Sequence, residues 1–166
     1  MPDKKYVLNA DSAAQKLHRM ALEIAETLSG DTEPIVFIGV RNSGTGIAEI
    51  VAGFARQYLP NDIKVISVNL DKHKPSDVVL TEEVDLDGKN VILMDDVSNS
   101  GHTLTYALKP LLAFYPKRIQ TLVLVERMHK SFPVKPDYVG SSVATTSEDF
   151  IHVELENGMV TGAYVA

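Results

Sequence analysis

The stretch Val91–Leu104, VILMDDVSNSGHTL, decides how the rest of the chain is read. Four apolar residues, Val91 to Met94, have the length and composition of a buried strand. Two adjacent carboxylates, Asp95 and Asp96, follow at its C-terminal end. A small polar turn, Ser98-Asn99-Ser100-Gly101, comes next, and Thr103 opens a helical run. In an open α/β sheet, ligands bind beyond the carboxyl ends of the strands, where loops and helix N-termini converge. Free N–H groups and hydroxyls at a helix start seat a phosphate. Paired carboxylates hold hydroxyls or a hydrated Mg²⁺. The turn therefore offers a phosphate seat beside a polyol.

Working outward, the same strand–turn–helix pattern occurs once more upstream. Pro34 starts the apolar run Ile35–Ile38, and Gly39-Val40-Arg41-Asn42-Ser43-Gly44-Thr45-Gly46 reads as a glycine-rich turn before a helix from Ile47 to Leu59. This is not a Walker A loop, which needs Gly-Lys-Ser/Thr, and the third glycine of a dinucleotide fingerprint is replaced by Glu49. Arg41 at the strand end is placed to clamp a pair of phosphate oxygens. Before this unit, Ser12 and Gln15 have capping-box spacing, and an apolar stripe through Leu17, Ala21, Ile24 and Leu28 predicts a helix stopping at Gly30. Ile63–Leu70 reads as a further strand. The polar segment 71–87 reads as a surface loop or hairpin, or as a lid bringing Lys72, His73 and Lys74 over an anionic substrate.

Downstream, Leu104, Ala107, Leu108, Leu111 and Leu112 form a helical stripe that Pro110 kinks or restarts. Ile119–Val125 is another buried strand, and Phe150–Leu155 with Met159–Val165 forms a hairpin around Asn157-Gly158. This order predicts one domain over 1–166: a doubly wound, mainly parallel α/β sheet flanked by helices, with a small hood over about 126–166.

Composition bounds the function. A chain of 166 residues with 45% hydrophobic and 23% charged residues can bury one sizeable core. No apolar run approaches the ~20 residues of a membrane helix, and MPDKKYVLNA lacks an apolar signal core. The absence of cysteine excludes disulfides and zinc–thiolate sites, and a cytoplasmic location is expected. A net charge of −6 disfavours generic nucleic-acid binding.

The strand–DD–SNSGHT–helix stretch resembles the phosphoribosyl-pyrophosphate motif of type I phosphoribosyltransferases, with Ser100-Gly101-His102-Thr103 in its Gly-x-Thr part. The segment VLVERMHKSFPVKPDYVG is similar to the matching part of the pyrimidine-operon attenuation regulators, which are also uracil phosphoribosyltransferases. It also resembles hypoxanthine-guanine enzymes, which share a Lys-Pro-Asp-aromatic-Val-Gly run. The resemblance implies catalytic roles for Asp95, Asp96 and Arg41, the two aspartates holding ribose hydroxyls directly or through Mg²⁺ as the cofactor. It implies a 5′-phosphate cradle at Ser98, Asn99, Ser100, Gly101, His102 and Thr103. It implies pyrophosphate contacts from Arg41, Asn42, Ser43, Gly44 and Lys130, and a flexible loop at 71–87. For the base it points to Glu126, Arg127, Tyr138 and Val139. A homodimer or higher oligomer is likewise implied.

Three positions depart from these relatives. Ser43 stands where the regulators usually carry a second arginine, and Asn99 where purine enzymes carry the aspartate that acts as general base. Glu126 replaces the lysine that reads a purine's exocyclic oxygen. The resemblance thus implies phosphoribosyl transfer from phosphoribosyl pyrophosphate to a pyrimidine, uracil, with a purine enzyme as an alternative. An RNA-binding regulator sensing uridine nucleotides is a second alternative, for which Lys16, His18, Arg19, Lys117, Arg118, Arg127, His129 and Lys130 are the basic candidates.

Overall fold

The structure, a computed structural model, describes residues 3–71 and 77–166. Lys72, His73 and Lys74 lie outside the described residues. In chain order the elements are β1 (Lys5–Asn9), α1 (Ala10–Thr27), β2 (Ile35–Val40), α2 (Arg41–Ala55), β3 (Ile63–Asn69) and β4 (Val79–Leu80). They continue with β5 (Asn90–Ser98), α3 (His102–Ala107), a 3₁₀ turn (Lys109–Ala113), β6 (Arg118–Arg127), β7 (Tyr138–Val143), β8 (Ile151–Glu156) and β9 (Met159–Val165).

Six strands form the main sheet in the order β4-β3-β2-β5-β6-β7. All pairs are parallel except β3–β4. Alternate side chains serve the two faces. Ile35 and Phe37 of β2 and Ile92 and Met94 of β5 pack with α1 and α2, whereas Val36, Ile38, Val91 and Leu93 pack with Leu104, Ala107 and Leu111 of the α3 layer. Helices therefore cover both faces of a mostly parallel sheet, as the sequence predicts. After β2 the chain steps outward to β3 and then returns to the other side of β2 as β5. That reversal between β2 and β5 is the switch point at which open α/β sheets leave a crevice.

Local structure departs from expectation at several places, each with a physical reason. Asn9, not Ser12, caps α1: its side chain accepts the Ser12 N–H at 2.8 Å, while Ser12 Oγ accepts the Asn9 N–H at 3.0 Å. Strand β1 delivers the chain directly into the helix, so the capping box sits three residues earlier. α2 begins at Arg41 rather than Ile47, and the expected glycine-rich turn is its first two turns. Gly39 permits this, because a Cβ there would collide with the Thr45 backbone. Part of segment 71–87 pairs as a hairpin, Val68 with Leu80 and Asn69 with Val79. Pro110 sits in the first turn of a separate 3₁₀ turn, Lys109–Ala113.

A second sheet, β1-β9-β8, is antiparallel throughout. Its hairpin turns at Asn157 (φ 52°) and Gly158 (φ 74°), the left-handed pair that Asn-Gly favours. This hood differs from the stretch 126–166 in two ways. β7 joins the main sheet by parallel pairing with β6, and β1, from the other end of the chain, supplies the third hood strand. Among the described residues no helix is long and apolar enough to cross a membrane.

Candidate active site at the strand ends

β5 does not stop at Met94. It continues through Asp95 and Asp96 to Ser98, so both carboxylates are strand residues, 3% and 8% exposed. Asp95 Oδ1 accepts the Asp96 N–H at 2.8 Å, and Asp96 Oδ1 accepts the Val97 N–H at 2.8 Å. These bonds fix the two side chains at the mouth of the β2–β5 crevice. Gly44 in the first turn of α2 lies against Asp95. A Cβ there would come within 2.8 Å of the Met94 carbonyl and 3.1 Å of Asp95 Oδ1.

Beyond Ser98 the chain turns through Gly101, whose φ of 85° is left-handed. Residues 97–104 and Phe150 enclose a pocket of about 170 Å³. All six expected phosphate residues, Ser98 to Thr103, line it. The loop is held from outside by Ser100 O, which accepts N–H groups of Ser131 and Phe132 at 3.0 and 3.1 Å. Asn99 Oδ1 accepts the Ile151 N–H at 3.1 Å and ties the loop to the hood. The half-buried His102 ring packs 4.8 Å from Tyr106 and 4.9 Å, edge-on, from Phe132. It is part of an aromatic cluster as well as of the pocket wall.

A second pocket of about 580 Å³ opens beside the start of α2, between Arg41, Asn42 and the Asn69–Asp71 segment. Arg41 adopts φ 51°, a left-handed conformation uncommon outside glycine, at the abrupt change from β2 to α2. Ser43 and Gly44 do not line this pocket, whereas Asp71 and Asp77 do. Those two acids went unread in the sequence, because only the fold places Asp71 and Asp77 of the 71–87 segment beside Arg41.

A third pocket, about 400 Å³, lies past the end of β6. Glu126, 8% exposed, accepts from Lys130 Nζ at 3.0 Å and from Ser142 Oγ at 3.1 Å. Lys130 Nζ also donates to the Arg127 carbonyl at 3.1 Å. Lys130, expected at the pyrophosphate, thus sits with Glu126 in the third pocket and not in the one beside Arg41. Of the four base candidates only Glu126 lines this pocket. Arg127 donates to the Thr146 carbonyl at 3.1 Å and lies over Phe150. Tyr138 is 4% exposed in the core facing α1, its hydroxyl donating to Gln120 Oε1 at 2.7 Å, and burial raises its pKa. Val139 packs into the opposite layer. Ser142 was missed because β7 was not read as a strand; its register opposite Glu126 is what brings it there.

A mostly parallel, doubly covered sheet with paired carboxylates and a strand-to-helix pocket at its switch point is the architecture of a phosphoribosyltransferase. The phosphoribosyl transferase domain model matches residues 5–156, and the chain belongs to that family. Among curated relatives, the bifunctional protein PyrR of Pelotomaculum thermopropionicum is 35% identical over 166 residues, covering 93% of this chain and 90% of the relative. The bifunctional protein PyrR of Limosilactobacillus fermentum is 32% identical over 162 residues, 90% of each. Among solved structures, the hypoxanthine phosphoribosyltransferase of Trypanosoma cruzi superposes with a TM-score of 0.80 over 97% of this chain and 95% of that one. At 15% identity it shares the fold.

Proposed function

We propose that the protein transfers the phosphoribosyl group of phosphoribosyl pyrophosphate to uracil, releasing uridine monophosphate and pyrophosphate, with Mg²⁺ as cofactor. The observation that carries this reading is the arrangement around the end of β5: a phosphate pocket over residues 97–104, two buried carboxylates behind it, and a pocket on either side. The 5′-phosphate is held by the loop's N–H groups and by the hydroxyls of Ser100 and Thr103. Arg41, at the opening of the second pocket, faces the leaving pyrophosphate, where negative charge develops. Ser43 leaves Arg41 as the cation of that turn.

The acidic pair fits Mg²⁺. This ion takes one or two carboxylates and completes its octahedron with water and substrate phosphates. Two carboxylates without a third converging acid among the described residues match that pattern. Asp95 and Asp96 would hold the ion, which supplies charge neutralisation of the diphosphate. Uracil is favoured by the likeness of the segment around Asp137–Gly140 to uracil-using regulators. Asn99, its Oδ1 engaged with Ile151, offers no general base for a purine. The RNA reading draws less support, because Arg19 donates to the Val139 and Gly140 carbonyls and Lys117 and Lys130 are ion-paired.

The test is incubation with phosphoribosyl pyrophosphate, Mg²⁺ and a panel of bases, with nucleotide and pyrophosphate as readouts. Uridine monophosphate is the expected product, and Asp95→Asn with Asp96→Asn should weaken phosphoribosyl-pyrophosphate binding at least about tenfold, the scale of a lost hydrogen bond to a charged group. No product with any base despite sugar binding would overturn the catalytic claim, and unchanged sugar binding would remove the aspartates from their role.

A further inference from the structure

The connection from β6 to β7 folds back on itself at its start and then meets the 97–104 turn from behind. Lys130 Nζ donates to Glu126 Oε2 at 3.0 Å and to the Arg127 carbonyl at 3.1 Å, four and three residues back along the chain. Ser142 Oγ, from β7, donates to the other oxygen of Glu126 at 3.1 Å. Both charged side chains are enclosed, Glu126 10% and Lys130 14% exposed. The next two residues, Ser131 and Phe132, donate their N–H groups to Ser100 O. We propose that Glu126 and Lys130 are positioning residues for the turn: their ion pair holds Ser131 and Phe132 where they aim the Gly101 N–H into the 97–104 pocket. That a phosphate sits there is taken from the phosphoribosyl-transfer reading.

The Ser100–Gly101 peptide carries the geometry. In a planar trans peptide the carbonyl oxygen and the N–H of the next residue point in opposite directions. Ser100 O is fixed by two donors, at 3.0 and 3.1 Å, so the Gly101 N–H faces away from Ser131 and Phe132. Neither of those residues lines the 97–104 pocket, whereas Ser100 and Gly101 do. The connection also packs against the back of Gly101, where a Cβ would come within 3.3 Å of the Phe132 carbonyl oxygen and 3.5 Å of that of Val134. Glycine imposes little on its own backbone, so these outside contacts set the direction of the peptide.

A buried ion pair is weak support for stability, because desolvation offsets much of its attraction. What this one supplies is direction. One cation on two acceptors and one carboxylate on two donors hold the chain from Glu126 to Lys130 in one arrangement. Lys130 lines neither the 97–104 pocket nor the one beside Arg41, so the pair acts through the turn. Removing one partner leaves the other charge enclosed and releases the turn. Replacing both by apolar side chains spares the fold and still gives up the direction.

Calorimetric titration of the intact protein with ribose 5-phosphate tests this. Lys130→Met, Glu126→Leu and the double variant should each bind it about tenfold or more weakly. Lys130→Arg, which keeps a cation beside Glu126, should stay within about threefold of the unmodified protein. Unfolding temperatures show which variants are folded, and the double variant, with no enclosed charge unpaired, serves where a single one does not fold. Lower unfolding temperatures with unchanged ribose 5-phosphate affinity would make the pair purely structural and overturn the proposal. Tighter or unchanged binding in Glu126→Leu beside weaker binding in Lys130→Met overturns it too, since a Lys130 that touched the anion directly would gain from losing its carboxylate. So does a Lys130→Arg variant as weak as Lys130→Met. The transfer reading fails separately: no binding of ribose 5-phosphate by the unmodified protein removes the phosphate seat and the proposal with it. Normal binding that no variant disturbs removes the positioning role alone.

Discussion

Asn99 does two things with one amide. Its Oδ1 accepts the N–H of Ile151, a residue only 2% exposed, and so fixes the first residue of β8 over the phosphate turn. That bond also fixes which way the amide faces, leaving Nδ2 as the donor branch in a residue that lines the 97–104 pocket. Aspartate could accept the same N–H, but it would bring a carboxylate to the pocket proposed to seat the 5′-phosphate. The two functions are therefore separable by substitution. Asn99→Asp should keep the unfolding temperature within a few degrees and weaken uridine monophosphate binding about tenfold or more. Asn99→Leu should destabilise the fold by about 1–3 kcal/mol, because the Ile151 N–H loses its partner. Thermal unfolding and calorimetry on both variants check the pair. Equal effects of both variants on stability and on binding would refute the division of labour.

At the scale of the element, the first turn of α2 shows why backbone contacts outrank propensity. Arg41 to Gly46 contains Asn, Ser, Thr and two glycines, all poor helix formers, and it reads as a loop. The helix nevertheless starts at Arg41, because glycines at 39 and 44 let it press onto β2 and the end of β5. Gly44→Ala should push this turn off the Met94 carbonyl, costing about 1–3 kcal/mol, and should weaken phosphoribosyl-pyrophosphate binding as Arg41 moves relative to Asp95. Denaturant unfolding and calorimetry read the two effects. A variant of unchanged stability would mean that the contact is loose. The same reasoning explains what the sequence disclosed. Central strands β2, β5 and β6 are long apolar runs buried on both faces, and the phosphate turn has fixed spacing, so both were legible. β1 was not, since four of its five residues are exposed. β7 was not, since Gly140, Ser141 and Ser142 give it the composition of a turn and its strand character comes from pairing with β6. The pocket past β6 went unread for that reason, and Tyr138, expected at the base, has its side chain in the core.

Across the whole molecule, chemistry and anchoring occupy opposite ends of the main sheet. The carboxyl ends of β2, β5 and β6 carry the three pockets, and the hood is joined to that end through Asn99–Ile151 and Arg127–Thr146. The amino ends are held by a separate polar cluster. Asp31, in the connection before β2, accepts the Glu33 N–H at 2.9 Å and Lys117 Nζ at 3.0 Å. Lys117, just before β6, donates its own N–H to the Lys89 carbonyl at 2.9 Å, beside the start of β5. The Glu33 N–H, and after it the Lys117 ammonium, holds the Asp31 carboxyl below its ordinary value of 3.8. A depressed folded-state value means that the interaction stabilises the fold above pH 3.8 and loses that contribution as pH falls through the lower, folded value. Asp31→Asn should therefore lower the unfolding temperature by a constant amount at neutral and mildly acidic pH, and the gap to the unmodified protein should close below pH 3.8. Nucleotide binding near neutral pH should be unchanged, because Asp31 is at the far end of the strands from the pockets. Unfolding scans from pH 7 to 2.5, a range set around the ordinary carboxylate value of about 3.9, decide it. A gap that stays flat into strong acid would show that Asp31 supports the fold by its packing, and that its charge contributes nothing.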